Sequence, residues 1–112
     1  MERGSIYLVR LDPVEGSEQG RTRPCIVVSN DVNNRVSPTI TILPISTKLP
    51  QAPYPFLVAL ELGEGGLDRP SVAKANQIRT VDKRRCVRRL GAISRQRMTE
   101  VDKAIRVHLA MP

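Results

Sequence analysis

Gly16-Ser17-Glu18-Gln19-Gly20-Arg21-Thr22-Arg23-Pro24 separates two short apolar runs, Ile6-Tyr7-Leu8-Val9-Arg10-Leu11 and Cys25-Ile26-Val27-Val28-Ser29. Both runs are rich in β-branched residues and bounded by turn formers, which predicts a pair of strands. The loop between them holds two glycines, which admit unusual backbone angles and close approach of a ligand. It also holds a carboxylate, an amide, hydroxyls and guanidiniums, with Arg23 kept extended by the proline after it. So many polar groups supply little core and cost ordering entropy, so the segment reads as a functional loop rather than a plain hairpin connection.

The pattern continues outward. Thr39-Ile40-Thr41-Ile42-Leu43-Pro44-Ile45 alternates Thr and Ile at first, predicting a half-buried strand that ends near Pro44. The turn-rich residues 30–38 before it fit one helical turn capped by Asn30. Three prolines at 50, 53 and 55 make a stiff surface loop. Phe56–Leu60, Ser71–Ile78 and Val87–Ile93 are further strand candidates, the last two separated by the basic turn Asp82-Lys83-Arg84-Arg85. Ser94 can cap a helix running to about Ala110, with Met98, Val101, Ala104, Ile105, His108 and Leu109 at helical spacing on one face. Many short strands followed by one amphipathic helix predict a mainly β fold with a C-terminal helix (α+β), a small barrel or curled sheet covered on one side. At 112 residues the chain reads as one domain, 1–112.

Composition narrows the function. The net charge of +7 is unevenly spread: residues 1–73 carry seven Lys/Arg against eight Asp/Glu, and residues 74–112 carry eleven against three. That asymmetry points to a polyanionic partner, either nucleic acid or an acidic protein segment. Fourteen of the eighteen cations are Arg, whose planar fork suits phosphate. Aromatics are only 3%, so recognition by stacking bases on aromatic platforms is not expected. No apolar run approaches the ~20 residues of a membrane span. Met1-Glu2-Arg3-Gly4 leads into no apolar signal region, so a cytoplasmic location is expected. Cys25 and Cys86 form no Cys-x-x-Cys pair and read as free thiols.

Exclusions follow for chemistry as well. The only histidine, His108, sits on the apolar stripe of the last helix, which rules out a two-histidine acid–base nuclease and a Ser-His-Asp hydrolase. The carboxylates are scattered and two lone cysteines make no zinc site, so no metal or cofactor is expected.

The segments Arg3–Pro13, Gly16–Gln19 and Thr22–Pro24 together resemble the amino-terminal signature of the MazF/PemK toxins. Ser29-Asn30-Asp31, Asn34-Arg35, Leu43-Pro44-Ile45-Ser46 and Asn76-Gln77-Ile78-Arg79-Thr80-Val81-Asp82 extend the resemblance in order through nearly the whole chain. It implies an SH3-like barrel of the PemK/CcdB toxin type, usually a homodimer. It also implies a metal-independent endoribonuclease that cleaves single-stranded RNA and is neutralised by a cognate antitoxin, expected here to be acidic. The alternative is a non-enzymatic, gyrase-binding toxin of the same fold; such relatives resemble one another in a carboxy-terminal Trp-Gly-Ile, whereas this chain ends Ala110-Met111-Pro112.

RNA cleavage without metal is feasible because the substrate brings its own nucleophile, the 2′-hydroxyl. The reaction needs a base for that hydroxyl, a cation for the crowded phosphate and a proton for the leaving oxygen. Arg23 is the natural cation and Ser46 a hydroxyl donor to the phosphate, with Thr47 as the neighbouring alternative. The resemblance maps the family's central catalytic pair onto Arg23 and Ser46. Arginine is too basic to serve as the base, which leaves Glu18, whose other role would be to orient Arg23 through an ion pair. One branch of the family uses an Asp just before the Gln of the later motif, with an upstream Arg and a His beside the loop Glu. Here those positions are Asn76, Lys74 and Ser17, which disfavours that variant. Ser17, Gln19, Thr47, Lys48, Asn76, Gln77 and Arg79 are expected to contact RNA through polar edges.

Overall fold

The computed structural model describes residues 1–112. Its seven strands are β1 (Ser5–Arg10), β2 (Thr22–Val27), β3 (Thr39–Ser46), β4 (Leu57–Leu60), β5 (Ser71–Lys74), β6 (Arg79–Asp82) and β7 (Cys86–Ala92). Two helices join them, α1 (Asp31–Val36) and α2 (Arg95–His108). All pairings are antiparallel, in the order β4-β5-β3-β2-β1-β7, with β6 also on β3. The mainly β architecture with a terminal helix is as expected. The sheet curls without a ladder joining β7 to β4, so it is not a closed barrel.

Its curl separates two buried groups. The larger gathers Ile6, Ile26, Val28, Leu43 and Ile45 from the sheet against Val101 and Ala104 of α2. The smaller lies on the opposite face: Val9, Leu11, Cys25, Val27, Ile40, Ile42 and Val81. Side chains alternate faces along a strand, so β2 and β3 each feed both groups. The Thr/Ile alternation is therefore only half of β3; from Ile42 to Ser46 the strand is buried throughout.

Three boundaries differ from the sequence reading. Strand β2 begins at Thr22 rather than Cys25, because Thr22, Arg23 and Pro24 face Arg10, Val9 and Leu8. The run Ser71–Ile78 is not one strand: it breaks after Lys74 into a 3₁₀ turn, Ala75–Gln77, before β6 starts. Strand β3 runs past Pro44 to Ser46 because it changes partner there, pairing β6 through Thr39–Ile42 and β5 through Ile45–Ser46. Proline cannot donate to a ladder, and it occupies the interval left by the 3₁₀ turn.

Helix α2 starts as expected, with the Ser94 hydroxyl accepting from the Arg97 N–H at 3.1 Å, a cap worth about 1 kcal/mol. Arg97 clamps the Glu64 turn with two bonds, 2.9 and 3.0 Å, tying the helix to the sheet. His108 and Leu109 are exposed, whereas Val101 and Ala104 are buried and Met98 and Ile105 partly so. The His108 ring instead lies 6.5 Å from Phe56. Cys25 and Cys86 are free. They face Tyr7 and Val9 from opposite sides of β1. Two strand spacings, roughly 10 Å, exceed what a disulfide spans. Burial pushes the Cys25 thiol up to about 12, so it is no thiolate nucleophile.

Candidate nucleic-acid interface

The loop between β1 and β2 is fastened at several points. Arg79 donates to the Leu11 carbonyl at 2.8 Å, and Arg85 to those of Arg10 and Asp12 at 3.0 and 2.6 Å. The Gln77 side-chain oxygen accepts from the Gln19 N–H at 3.0 Å, and Lys74 Nζ donates to Gln19 Oε1 at 2.9 Å. Two backbone features reflect this tight folding. A Cβ on Gly20 would come within 2.5 Å of the Asp12 carboxylate. Arg21 takes a left-handed φ of 67°, a conformation that costs a non-glycine residue energy and concentrates at functional sites. The polar loop is thus an ordered structure docked on the 3₁₀ turn.

Between loop and turn lies an open cleft of about 490 Å³, lined by Ser17, Glu18, Gln19, Pro44, Asn76, Gln77, Ile78 and Arg79. Six of the residues predicted from sequence therefore meet in one place. Gln77 and Arg79 are brackets for the loop as well as cleft wall. Lys48 and Asn76 border a second groove of about 400 Å³, and Asn76 is common to both.

Arg23 and Ser46 stand beside this cleft rather than in its lining. The β2–β3 register pairs Cys25 with Pro44, Ile26 with Leu43 and Val27 with Ile42. Continued by two residues, it sets Arg23 opposite Ser46, on the strand face that also presents Pro44 to the cleft. Arg23 uses only Nε internally, on the Gly20 carbonyl at 2.7 Å. No carboxylate lies within 4.0 Å of it. The anticipated Glu18–Arg23 ion pair is absent; Glu18 Oε1 instead accepts from the Glu15 N–H at 2.6 Å, within its own turn. Ser46 is buried, with its Oγ accepting from the Lys48 N–H at 3.1 Å, whereas Thr47 is exposed.

Lys74 joins the site as well. Burial first, and then the charges of Arg23 and Lys48, push its ammonium below the usual lysine range. Arg23 and Lys48 are thus each close enough to Lys74 to repel its charge, and an arriving phosphate would relieve that repulsion. In the sequence Lys74 stands out only as the position where one branch of the family has an Arg; the partner exchange on β3 is what brings it to this site. No group of three His, Cys, Asp or Glu side chains is placed to hold a metal ion, and no helix is long and apolar enough to cross a membrane.

Relatives share this architecture. A family model described as "PemK-like, MazF-like toxin of type II toxin-antitoxin system" matches residues 2–109. The curated "Endoribonuclease MazF" of Staphylococcus saprophyticus is 40% identical over 111 residues, covering 99% of this chain and 92% of that protein. The crystal structure of MazF (Form-I) from Deinococcus radiodurans is 27% identical, with TM-score 0.85 over 99% of this chain and 97% of that one. An endoribonuclease in complex with its cognate antitoxin, from a mycobacterial species, superposes with TM-score 0.81 over 100% of this chain and 97% of that chain; at 21% identity it attests to the fold alone. The match over residues 2–109, joined to 40% identity across the chain, makes this protein a member of the PemK/MazF-like toxin family.

Proposed function

We propose that residues 1–112 form one toxin domain, a sequence-selective endoribonuclease that cleaves single-stranded RNA without a metal ion. The observation that carries this reading is Arg23 with its terminal nitrogens free and no carboxylate nearby, two residues beyond the Cys25–Pro44 pair, where the β2–β3 register continues toward Ser46. Such a guanidinium is poised for an anion and can grip two phosphate oxygens as charge builds.

In the proposed reaction the 2′-oxygen attacks the adjacent phosphorus and the bond from phosphorus to the 5′-oxygen breaks. The products are a 2′,3′-cyclic phosphate and a 5′-hydroxyl, the leaving oxygen taking its proton from solvent water at the open cleft. Glu18, in the cleft wall, accepts the proton of the 2′-hydroxyl: its Oε1 is held by the Glu15 N–H while Oε2 has no partner. Ser46 Oγ keeps its proton for a phosphate oxygen, since its bond to Lys48 is an accepted one. Ser17, Gln19, Asn76 and Gln77 offer amides and hydroxyls to base edges, and Lys48 and Lys74 hold the backbone.

The family's toxin–antitoxin pairing extends the reading to a partner: an acidic antitoxin segment covering the same cations by coupled folding. Exposed Val107, Leu109 and Met111 at the end of α2 are available to a second copy in a homodimer, and the site of action is the cytoplasm. No residue or contact among residues 1–112 favours the gyrase-binding alternative.

The test is to incubate the pure protein with a long RNA in EDTA and map the ends. Cleavage at an unaltered rate, with cyclic phosphate on one side and 5′-hydroxyl on the other, is the expected result. Activity lost in chelator and restored by magnesium would overturn the mechanism. Ser46→Ala is expected to slow cleavage by about tenfold or more, and Ser46→Thr to be tolerated. If Thr47→Ala were the damaging change instead, the hydroxyl donor would move by one residue.

A further inference from the structure

Only three aromatic residues occur in the chain, and two of them, Tyr54 and Phe56, flank the cation cluster. Their rings stack at 5.3 Å with an interplanar angle of 10°. Phe56 is anchored, packed on the larger buried group and 6.5 Å from the His108 ring. Tyr54 is 53% exposed, in keeping with one ring face covered by Phe56 and the other open to solvent. The prolines at 53 and 55 and backbone bonds from Tyr54 N–H to Ala52 O and from Leu57 N–H to Tyr54 O, both 3.0 Å, fix this short segment. The groove these rings border is the more apolar of the two, and its rim carries Lys48 and Lys74. It meets the polar cleft at Asn76.

We infer that Tyr54 is a stacking platform for one unpaired nucleobase of the RNA, adjacent to the nucleotides read by the polar cleft. The inference rests on the endoribonuclease reading and adds a specificity-determining residue to it. The physical case is complementarity. A strand whose phosphate sits on Lys48, Lys74 and Arg23 must place a neighbouring base close by, and every base has an apolar face to hide from water. A ring already held by Phe56 loses little further freedom on binding, so stacking on it comes at low entropic cost. It departs from the expectation drawn from composition, since two of the few aromatics border the groove.

The chain has no Trp, so Tyr54→Trp supplies a lone indole fluorophore at this position. The probe is an oligoribonucleotide spanning a mapped cleavage site, made uncleavable by one deoxyribose 5′ of the scissile phosphate. Its binding should quench the indole emission of that variant, with the same midpoint as binding followed by anisotropy. Tyr54→Ala should weaken binding by about tenfold, and Tyr54→Phe should restore it. One abasic position in the probe should cost the wild type a similar factor and cost Tyr54→Ala nothing more. Unchanged emission at saturating RNA, or abasic penalties that are the same in both proteins, would overturn the platform while leaving the nuclease reading intact. Quenching by an acidic antitoxin peptide but not by RNA would assign the groove to the protein partner and equally overturn it. A wild type that neither binds nor cuts any RNA would remove the underlying reading, and this one with it.

Discussion

Replacing Arg23 by Ala is expected to lower the rate of RNA cleavage by on the order of a hundredfold or more while leaving the fold intact. The fold should survive because Arg23 contributes one internal hydrogen bond, to the Gly20 carbonyl, and no ion pair. The rate should fall because a guanidinium opposite Ser46 is the group best placed to meet charge as it develops on the phosphate. Arg23→Lys is expected to recover only part of the loss, since a point charge cannot hold two oxygens in one plane. Single-turnover rates, with circular dichroism and thermal melting on the same samples, would check this. Wild-type turnover by a folded Arg23→Ala protein would refute the assignment. The neighbouring cations give a control: Lys74→Ala and Lys48→Ala should weaken RNA binding more than they slow the bond-breaking step.

Equally large is the effect expected from a single atom of the substrate. If the nucleophile belongs to the RNA, deoxyribose at the one position 5′ of the scissile phosphate should abolish cleavage. Binding should largely survive, because the cluster of Arg23, Lys48 and Lys74 meets the same phosphates, and affinity should fall as salt rises. The substituted strand should therefore act as a competitive inhibitor. Cleavage of that strand at the same bond would show attack by an outside nucleophile and end the substrate-assisted mechanism. If neither strand were cut while gyrase activity fell, the non-enzymatic alternative would replace it. The two experiments are complementary: the first tests who stabilises the phosphate, the second who attacks it.

The burial pattern accounts for how these groups can be both ordered and reactive. Strand β3 is buried on both faces from Ile42 to Ser46. It thus gives Ser46 and Pro44 a rigid base, of the kind that holds a site to within fractions of an ångström. The loop is fixed differently, by side chains of Lys74, Gln77, Arg79 and Arg85 reaching its carbonyls and amides. Removing Gln77 would therefore disturb the placement of Ser17, Glu18 and Gln19 together.

Much of this was legible in the residues. β-branched runs bounded by turn formers gave the strands, and Ser94 followed by an amphipathic repeat gave α2, because both depend on local periodicity and capping. The polar loop was identifiable as functional because nine residues with almost no apolar surface have no packing reason to sit between two core strands. Asn76, Gln77 and Arg79 could be named as candidates, but not joined to Ser17 and Gln19, some sixty residues away in sequence. That juncture required the strand β3 to exchange β6 for β5 at Pro44, a register decision made by burial on both faces and invisible to any local window. The same exchange broke the predicted Ser71–Ile78 strand and carried Lys74 to the cation cluster. The β2–β3 register, likewise non-local, directs Arg23 toward Ser46, and Glu18 is held by the Glu15 N–H in its own turn. Composition counted three aromatics and argued against stacking; Tyr54 and Phe56 are neighbours in sequence, but only the packing of Phe56 on the core sets the pair beside Lys48 and Lys74. Local physics determined the elements and the chemistry available. The long-range pairing of β3, stabilised by the two buried groups on its opposite faces, decided which of those groups meet.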